Sequence, residues 1–331
     1  MKWPSRNWKG QVCKLDAVKR IATRESYGKG LLEMAELFPK MVVLDADLTG
    51  ATRTNLFRSA HPERHINCGI AESNMMGVAA GLAAEGLIPV VSSFAMFAAG
   101  RAYEQVRNSV GYPHLNVKIA ATHGGVSVGE DGASHQCCED IALMRTIPGM
   151  TVINPSDDVE ARSALHAALS HDGPVYLRFG RMAVPVFNDH PAYRFELGKG
   201  TLLRSGGDVS IIATGLCVWE ALRTADILHE QGIAAEVINI HTIKPIDEDM
   251  IRISAHKTGR VVTVEEHSTI GGLGDAVADV LSRTMPVRLL KIGVPDTYGQ
   301  SGSAEQLLDF YGLKAERIAE SAMKWLQGTI A

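Results

Sequence analysis

Short apolar runs recur along the first half of the chain with helix-length stretches between them, and this alternation leaves few folds open. Met41–Asp45, Leu87–Val91, Asn116–Ala121, Thr151–Ile153 and Val175–Phe179 have strand length. Thr23–Phe38, Ser73–Ala84, Phe97–Val110 and Asp157–Leu169 have helical length, with Thr23 placed as an N-cap and Pro39 as a stop. A helix between two strands carries the chain back to the end it started from, so the strands pair in parallel and the sheet is doubly wound. Over 183–199 the periodicity fades and Pro185 and Pro191 fall among aromatics. A second alternation follows, with strands at Val209–Ala213, Ala235–Ile240, Arg260–Glu265 and Val287–Lys291 and helices at Val218–Glu230, Asp275–Ser282, Ala304–Phe310 and Lys314–Gln327. The expected fold class is α/β with two doubly wound domains: an irregular arm over 1–22 bearing Trp3 and Trp8, a parallel-sheet domain over 23–187, and a smaller α/β domain over 188–331.

Composition narrows the function. At 331 residues and 46% hydrophobic the chain has material for two cores, and a formal charge of -4 with no basic run offers nothing to nucleic acid or an anionic membrane. Five cysteines, odd in number and without a CxxC pair, argue against a disulfide framework or a zinc site, and no residues here are assigned to a metal. The first residues lack the apolar core of a signal peptide, and the apolar run from Gly86 to Gly100 is interrupted by Pro89, Ser92 and Ser93 and too short to span a bilayer. A cytoplasmic protein is expected.

Chemistry is concentrated in a few places. Glu72 stands at a strand-to-helix junction among small and apolar residues, where a carboxylate is partly desolvated; it serves there either as a helix-capping acid or as a catalytic group. Asp47 lies in the polar loop after Met41–Asp45, where open α/β sheets place ligands. The glycine-rich stretch from Thr122 to Gln136 carries His123, Glu130, Asp131 and His135, groups that shuttle protons or hold hydroxyls and phosphates, or else bond the loop to itself. Phe94 and Phe97 end a strand and read as core or as a stacking surface; Arg24 and Arg181 read as anion clamps or as ion-pair residues. Gly272-Leu-Gly274 lacks the third glycine of a dinucleotide fingerprint and reads as close helix-to-sheet packing. No GxxxxGK[ST], HExxH or GxSxG motif occurs.

Taken in order, Ala22-Thr-Arg24, Asp45-Ala-Asp-Leu48, Gly69-Ile-Ala-Glu-Ser-Asn-Met75, Ser93-Phe-Ala-Met-Phe97, Thr122-His123, Gly129-Glu-Asp-Gly-Ala-Ser-His-Gln136 and Leu177-Arg-Phe-Gly-Arg181 resemble the C-terminal half of the transketolase family, across nearly the whole chain. The resemblance implies a pyrimidine-binding domain followed by a transketolase C-terminal domain, thiamine diphosphate as cofactor, and transfer of a two-carbon ketol unit from a ketose to an aldose. It implies that Glu72 hydrogen-bonds the cofactor's aminopyrimidine, that Phe97 stacks on that ring with Phe94 nearby, and that Asp47 lies beside it. His135, catalytic together with Glu72, and Asp131 would contact sugar hydroxyls, while Arg24, His123 and Arg181 would hold a substrate phosphate. Two positions depart from the family pattern: Ala51 replaces a phosphate-binding serine, for which Thr49 or Thr52 is the candidate substitute, and Gly100 replaces an aromatic residue.

The family binds the cofactor's diphosphate through Mg²⁺ held by a GDG motif and a later asparagine, and no such pair occurs here. The resemblance therefore implies the second subunit of a split transketolase, joined in an α₂β₂ assembly by an N-terminal, diphosphate-binding subunit that supplies the Mg²⁺ ligands. The alternatives are the β subunit of a 2-oxo acid dehydrogenase, part of a deoxyxylulose phosphate synthase, or a non-catalytic regulatory subunit.

Overall fold

The computed structural model describes residues 19–329; the tryptophan-bearing segment 1–18, with Cys13, lies outside the described residues. Strands are numbered along the chain: β1 (Arg20–Ala22), β2 (Met41–Asp45), β3 (His65–Asn67), β4 (Ile88–Phe94), β5 (Lys118–Thr122), β6 (Thr151–Ile153), β7 (Val175–Arg178), β8 (Ala183–Pro185), β9 (Thr201–Arg204), β10 (Val209–Ala213), β11 (Ala235–Asn239), β12 (Thr242–Lys244), β13 (Arg260–Ser268) and β14 (Arg288–Val294). The first sheet has the order β12-β6-β7-β5-β4-β2-β3 and is parallel except at the β12 edge. The second has the order β14-β13-β10-β11-β9, parallel except at β9.

Side-chain alternation explains why each sheet carries helices on both faces. Leu44, Val91, Ile119 and Tyr176 enter one core cluster, and their chain neighbours Val43, Val90, Ala120 and Leu177 enter another on the opposite face. In the second sheet Ile211 and Ile212 divide in the same way. Burial of one such side chain stabilises by about 1.5–3 kcal/mol. That decides how the helix Glu72–Ala84 survives, because its interior Gly77 and Gly81 each cost about 1 kcal/mol relative to alanine. Buried Met75, Met76 and Ala79 hold it against the sheet. Gly77 and Gly81 instead face open space, so these small residues do not serve contact with the sheet.

Several local expectations change. The first helix runs Thr23–Ala35 with Ala22 as N-cap; the Thr23 hydroxyl does not cap it but accepts the Gly180 N–H at 2.7 Å. The end of the arm is a strand, β1, paired antiparallel with β8 in the stretch that lost periodicity. The segment after β4 is not one regular helix: wide π-type turns at Met96–Arg101 and Val106–Gly111 flank a short α-helix at Tyr103–Gln105. Strand β12 and the helices Asp140–Thr146 and Glu248–Thr258 have no counterpart in the sequence reading. The glycines near Leu273 pack closely, as read: the buried Glu265 carboxylate accepts the N–H groups of Leu273 and Gly274 at 2.6 and 2.7 Å and fills the helix N-terminus a phosphate would need.

Candidate active site

All the candidate residues follow the carboxyl ends of strands. The chain passes from β2 to β3 on one side and then returns to place β4 on the other side of β2, so the loops after β2 and β4 flank a topological switch point, where open α/β sheets place ligands. Asp47 follows β2, Glu72 follows β3, Phe94 closes β4 with Phe97 in the π-type turn just after it, His123 follows β5, Arg181 follows β7 and Arg24 follows β1.

Glu72 is the first residue of its helix and only 1% exposed. Gly69, at φ 70°, makes the turn that delivers the chain from β3 to that helix. The Glu72 Oε2 accepts a hydrogen bond from Arg101 Nη1 at 2.9 Å, and the same guanidinium lies 4.6 Å from the centroid of the Phe97 ring. Arg101 was absent from the sequence reading; its position four residues after Phe97, inside an expected helix, was the signal that would have placed the two together.

Four rings form one cluster. Phe94 stacks on His123 at 3.8 Å and on Phe97 at 5.9 Å, and His135 meets Phe97 edge-on at 5.3 Å. His123 is buried at φ 60°. Its Nε2 lies 3.1 Å from Arg24 Nη1, which only donates, so Nε2 accepts and the proton sits on Nδ1, 2.8 Å from the Thr122 hydroxyl. Burial first, then the charges of Arg24 and Arg181, lower its pKa to about 3, so the imidazole is neutral at pH 7. His123 therefore orients Arg24 and adds no charge of its own. Arg24 also donates to the Ala51 carbonyl at 3.2 Å, while its buried Nε has no partner among the described residues. Burial, then the charges of Arg53 and Arg181, lower the Arg24 pKa, and Glu25, which pairs with Arg53 and not with Arg24, offsets this only in part.

Arg181 bonds the Val128 carbonyl and, at 3.0 Å, the exposed Glu130 carboxylate. Asp131 is exposed at the end of the 3₁₀ turn Val126–Asp131, and His135 Nδ1 pairs with the Ser134 hydroxyl at 3.0 Å. Asp47, at φ 62°, is held by Asn67: its N–H donates to Asn67 Oδ1 and its Oδ1 accepts from Asn67 Nδ2, each at 3.1 Å. Thr52 cannot take the place of the missing serine. It is fully buried, and its hydroxyl is engaged by the Leu48 carbonyl and Thr54. Among the described residues no group of three or more His, Cys, Asp or Glu side chains is arranged to hold a metal ion, and no helix is long and apolar enough to cross a membrane.

The sequence profile of the transketolase pyrimidine-binding domain matches residues 19–186, and that of the transketolase C-terminal domain matches residues 198–318. These profiles, in this order, define a pyrimidine-binding sheet followed by a transketolase C-terminal sheet. The chain belongs to the transketolase family. It is 51% identical over 303 residues to a transketolase C-terminal section of Methanocaldococcus jannaschii, covering 91% of this chain and 95% of that protein. It is 47% identical over 300 residues to a 6-deoxy-6-sulfo-D-fructose transketolase subunit of a Clostridium species, covering 90% and 92%. A solved split-gene transketolase, an inactive β4 tetramer, superimposes with a TM-score of 0.85 at 50% identity, covering 93% of this chain and 99% of that one.

Proposed function

We propose that this chain is the pyrimidine-side subunit of a cytoplasmic split transketolase, transferring a two-carbon ketol unit between sugar phosphates once a second chain supplies the diphosphate and Mg²⁺ ligands. One observation carries the reading. Glu72 and Phe97 already hold a planar, nitrogen-bearing group between them, the guanidinium of Arg101, by one hydrogen bond and one ring contact. An aminopyrimidine makes the same two kinds of contact, so the residues fit it. Thiamine diphosphate, when bound, supplies an acidic thiazolium carbon and the electron sink needed to break and remake a carbon–carbon bond.

The chain's own residues do the rest. Glu72 would hydrogen-bond a ring nitrogen of the bound cofactor through its carboxyl group, and Phe97 and Phe94 would orient the ring and exclude water, with Asp47 beside them. His135 and Asp131 hold sugar hydroxyls, and His135 moves a proton at its imidazole. Arg24, steered by His123, and Arg181 grip the phosphate. The need for a partner is motivated by the absence of a diphosphate site in the sequence and by the 77% exposure of Ile70 two residues before Glu72, an apolar side chain that an α₂β₂ interface would cover.

The test is a calorimetric titration with thiamine diphosphate and Mg²⁺, on the chain alone and with the partner recovered by pull-down from the native host. Binding only with the partner, followed by ketol transfer from a ketose phosphate to an aldose phosphate, is the expected result. Tight binding by the chain alone would remove the split-enzyme reading, and release of CO₂ from pyruvate would point instead to a 2-oxo acid or deoxyxylulose phosphate reaction.

A further inference from the structure

Among the contacts of the second sheet with the candidate site is a buried carboxylate, Glu266 of β13. Glu266 is 3% exposed, and its Oε1 accepts the backbone N–H of Ser127 at 2.5 Å. Ser127 is the second residue of the 3₁₀ turn that opens the loop carrying Asp131 and His135. Gly125, just before that turn, sits at φ 83°, and a Cβ built on it would stand 2.2 Å from Glu266 Cδ. The carboxyl group occupies the space that any side chain at residue 125 would need.

The surroundings tie the same loop to the C-terminal domain. Val126 is fully buried in the core of the second sheet with Val264 and Val294. Arg178 donates from Nη2 to the carbonyls of Glu266 and Cys137 at 2.9 and 3.1 Å, and from Nε to Asp140 Oδ2 at 2.8 Å, which also accepts the Tyr176 hydroxyl at 2.7 Å. At the far end, Gln136 Nε2 donates to the Gln300 carbonyl at 2.8 Å. Packing alone would be served by an apolar side chain at 266, since a buried carboxyl costs several kcal/mol unless its bonds repay it. Arg178 is already matched by Asp140, which leaves Glu266 as the extra acid, and burial pushes its carboxyl up to about 7. The loop amide is what that acid holds.

We propose that Glu266 is a positioning residue: from the second domain it fixes the base of the loop that carries Asp131 and His135, and so sets the grip on the sugar. This rests on the assignment of that loop to the sugar hydroxyls. Three substitutions separate reach from charge: Glu266→Ala removes the acceptor, Glu266→Asp shortens it, and Glu266→Gln keeps it without the charge.

Amide hydrogen exchange on the full chain, without cofactor or substrate, is the first readout. With the bond to Ser127 lost, exchange over residues 125–136 rises about tenfold in Glu266→Ala and several-fold in Glu266→Asp, while Glu266→Gln and the helix Glu72–Ala84 stay at native rates. In the assembled enzyme the sugar KM rises about tenfold in Glu266→Ala with kcat little changed, and Glu266→Gln restores it. Native loop exchange in Glu266→Ala, or faster exchange with an unchanged KM, overturns the proposal. If the alanine variant does not fold, the other two decide: damage by Gln with none by Asp would assign the effect to charge and overturn it as well. The transketolase reading fails by a different result, turnover that survives Glu72→Gln.

Discussion

Arg101 and Glu72 form an ion pair between unequal environments, with Nη1 2.9 Å from Oε2, the carboxylate buried and the arginine side chain 52% exposed. The guanidinium lies on the same two residues that the proposed aminopyrimidine would use, so cofactor and arginine compete for one place. Arg101→Met leaves the buried carboxylate unpaired. Breaking a fully buried pair costs about 3–5 kcal/mol, and solvent around the arginine reduces this to about 1–2 kcal/mol. The melting temperature of the chain alone should fall by roughly 1.5–3 °C, while the assembled enzyme binds thiamine diphosphate at least as tightly as before. An unchanged melting temperature together with weaker cofactor binding would show Arg101 to be a ligand and not a placeholder.

Glu72→Gln preserves shape and removes the acid. Loss of a positioned proton-sharing group costs about 10²–10⁴ in rate, so kcat of the assembled enzyme should drop by at least about 100-fold with partner binding unchanged. Native turnover in this variant would remove Glu72 from the chemistry.

Arg24 has no carboxylate within ion-pair distance among the described residues, which leaves its charge for a ligand. A hydrogen bond to a charged group is worth about 1.5–3 kcal/mol, so Arg24→Gln should raise the KM of a phosphorylated aldose by roughly 10–100-fold. An unphosphorylated aldose should be little affected. Equal losses on both substrates would place Arg24 outside the phosphate site.

Acid should weaken the fold through His123. Its pKa is lowered from 6.5 to about 3 by burial and then by Arg24 and Arg181. Between those values the unfolded chain holds a proton that the folded chain does not, so this contribution is complete above pH 6.5 and is lost as the pH falls toward 3. From pH 7 to pH 5 the loss amounts to about 2 kcal/mol. Denaturant unfolding of the full chain at both pH values should show that difference between the native protein and His123→Gln; parallel pH dependences would mean that the imidazole is protonated in the fold. The pKa of Glu266 is displaced in the opposite sense, raised to about 7 by burial, and its contribution falls as the pH rises from 4.5 to 7. Only the comparison with the variant isolates the histidine.

The alternation that defines the sheets was legible because apolar period and element length agree in strands such as β2, β6 and β10 and in the helix Ala304–Phe310. The short strand β12 was not, since three residues carry too little pattern and its pairing with β6 is decided by contacts distant in sequence. The helix Glu248–Thr258 escaped for a related reason: its polar outer face leaves only Ile251, Ser254 and Ala255 buried, although Asp247 caps it by accepting the Met250 N–H. Within the site, Glu72, Phe94, His123 and Arg24 carried their own signals in motif and residue type. Arg101, Asn67 and Glu266 act through neighbours that folding brings to them, and no local spacing announced the last two.

Strand β12 has a consequence for how this chain can be cut or recombined. It lies between β11 and β13 in sequence, which belong to the second sheet, yet it edges the first. A fragment ending at residue 187 would lack that edge and present β6 as an unpaired border, a template for aggregation, while the complementary fragment would carry a strand with nothing to pair with. The two sheets are stitched rather than strung together, and a chimera that exchanges the second unit for that of a relative must bring a matching stitch with it.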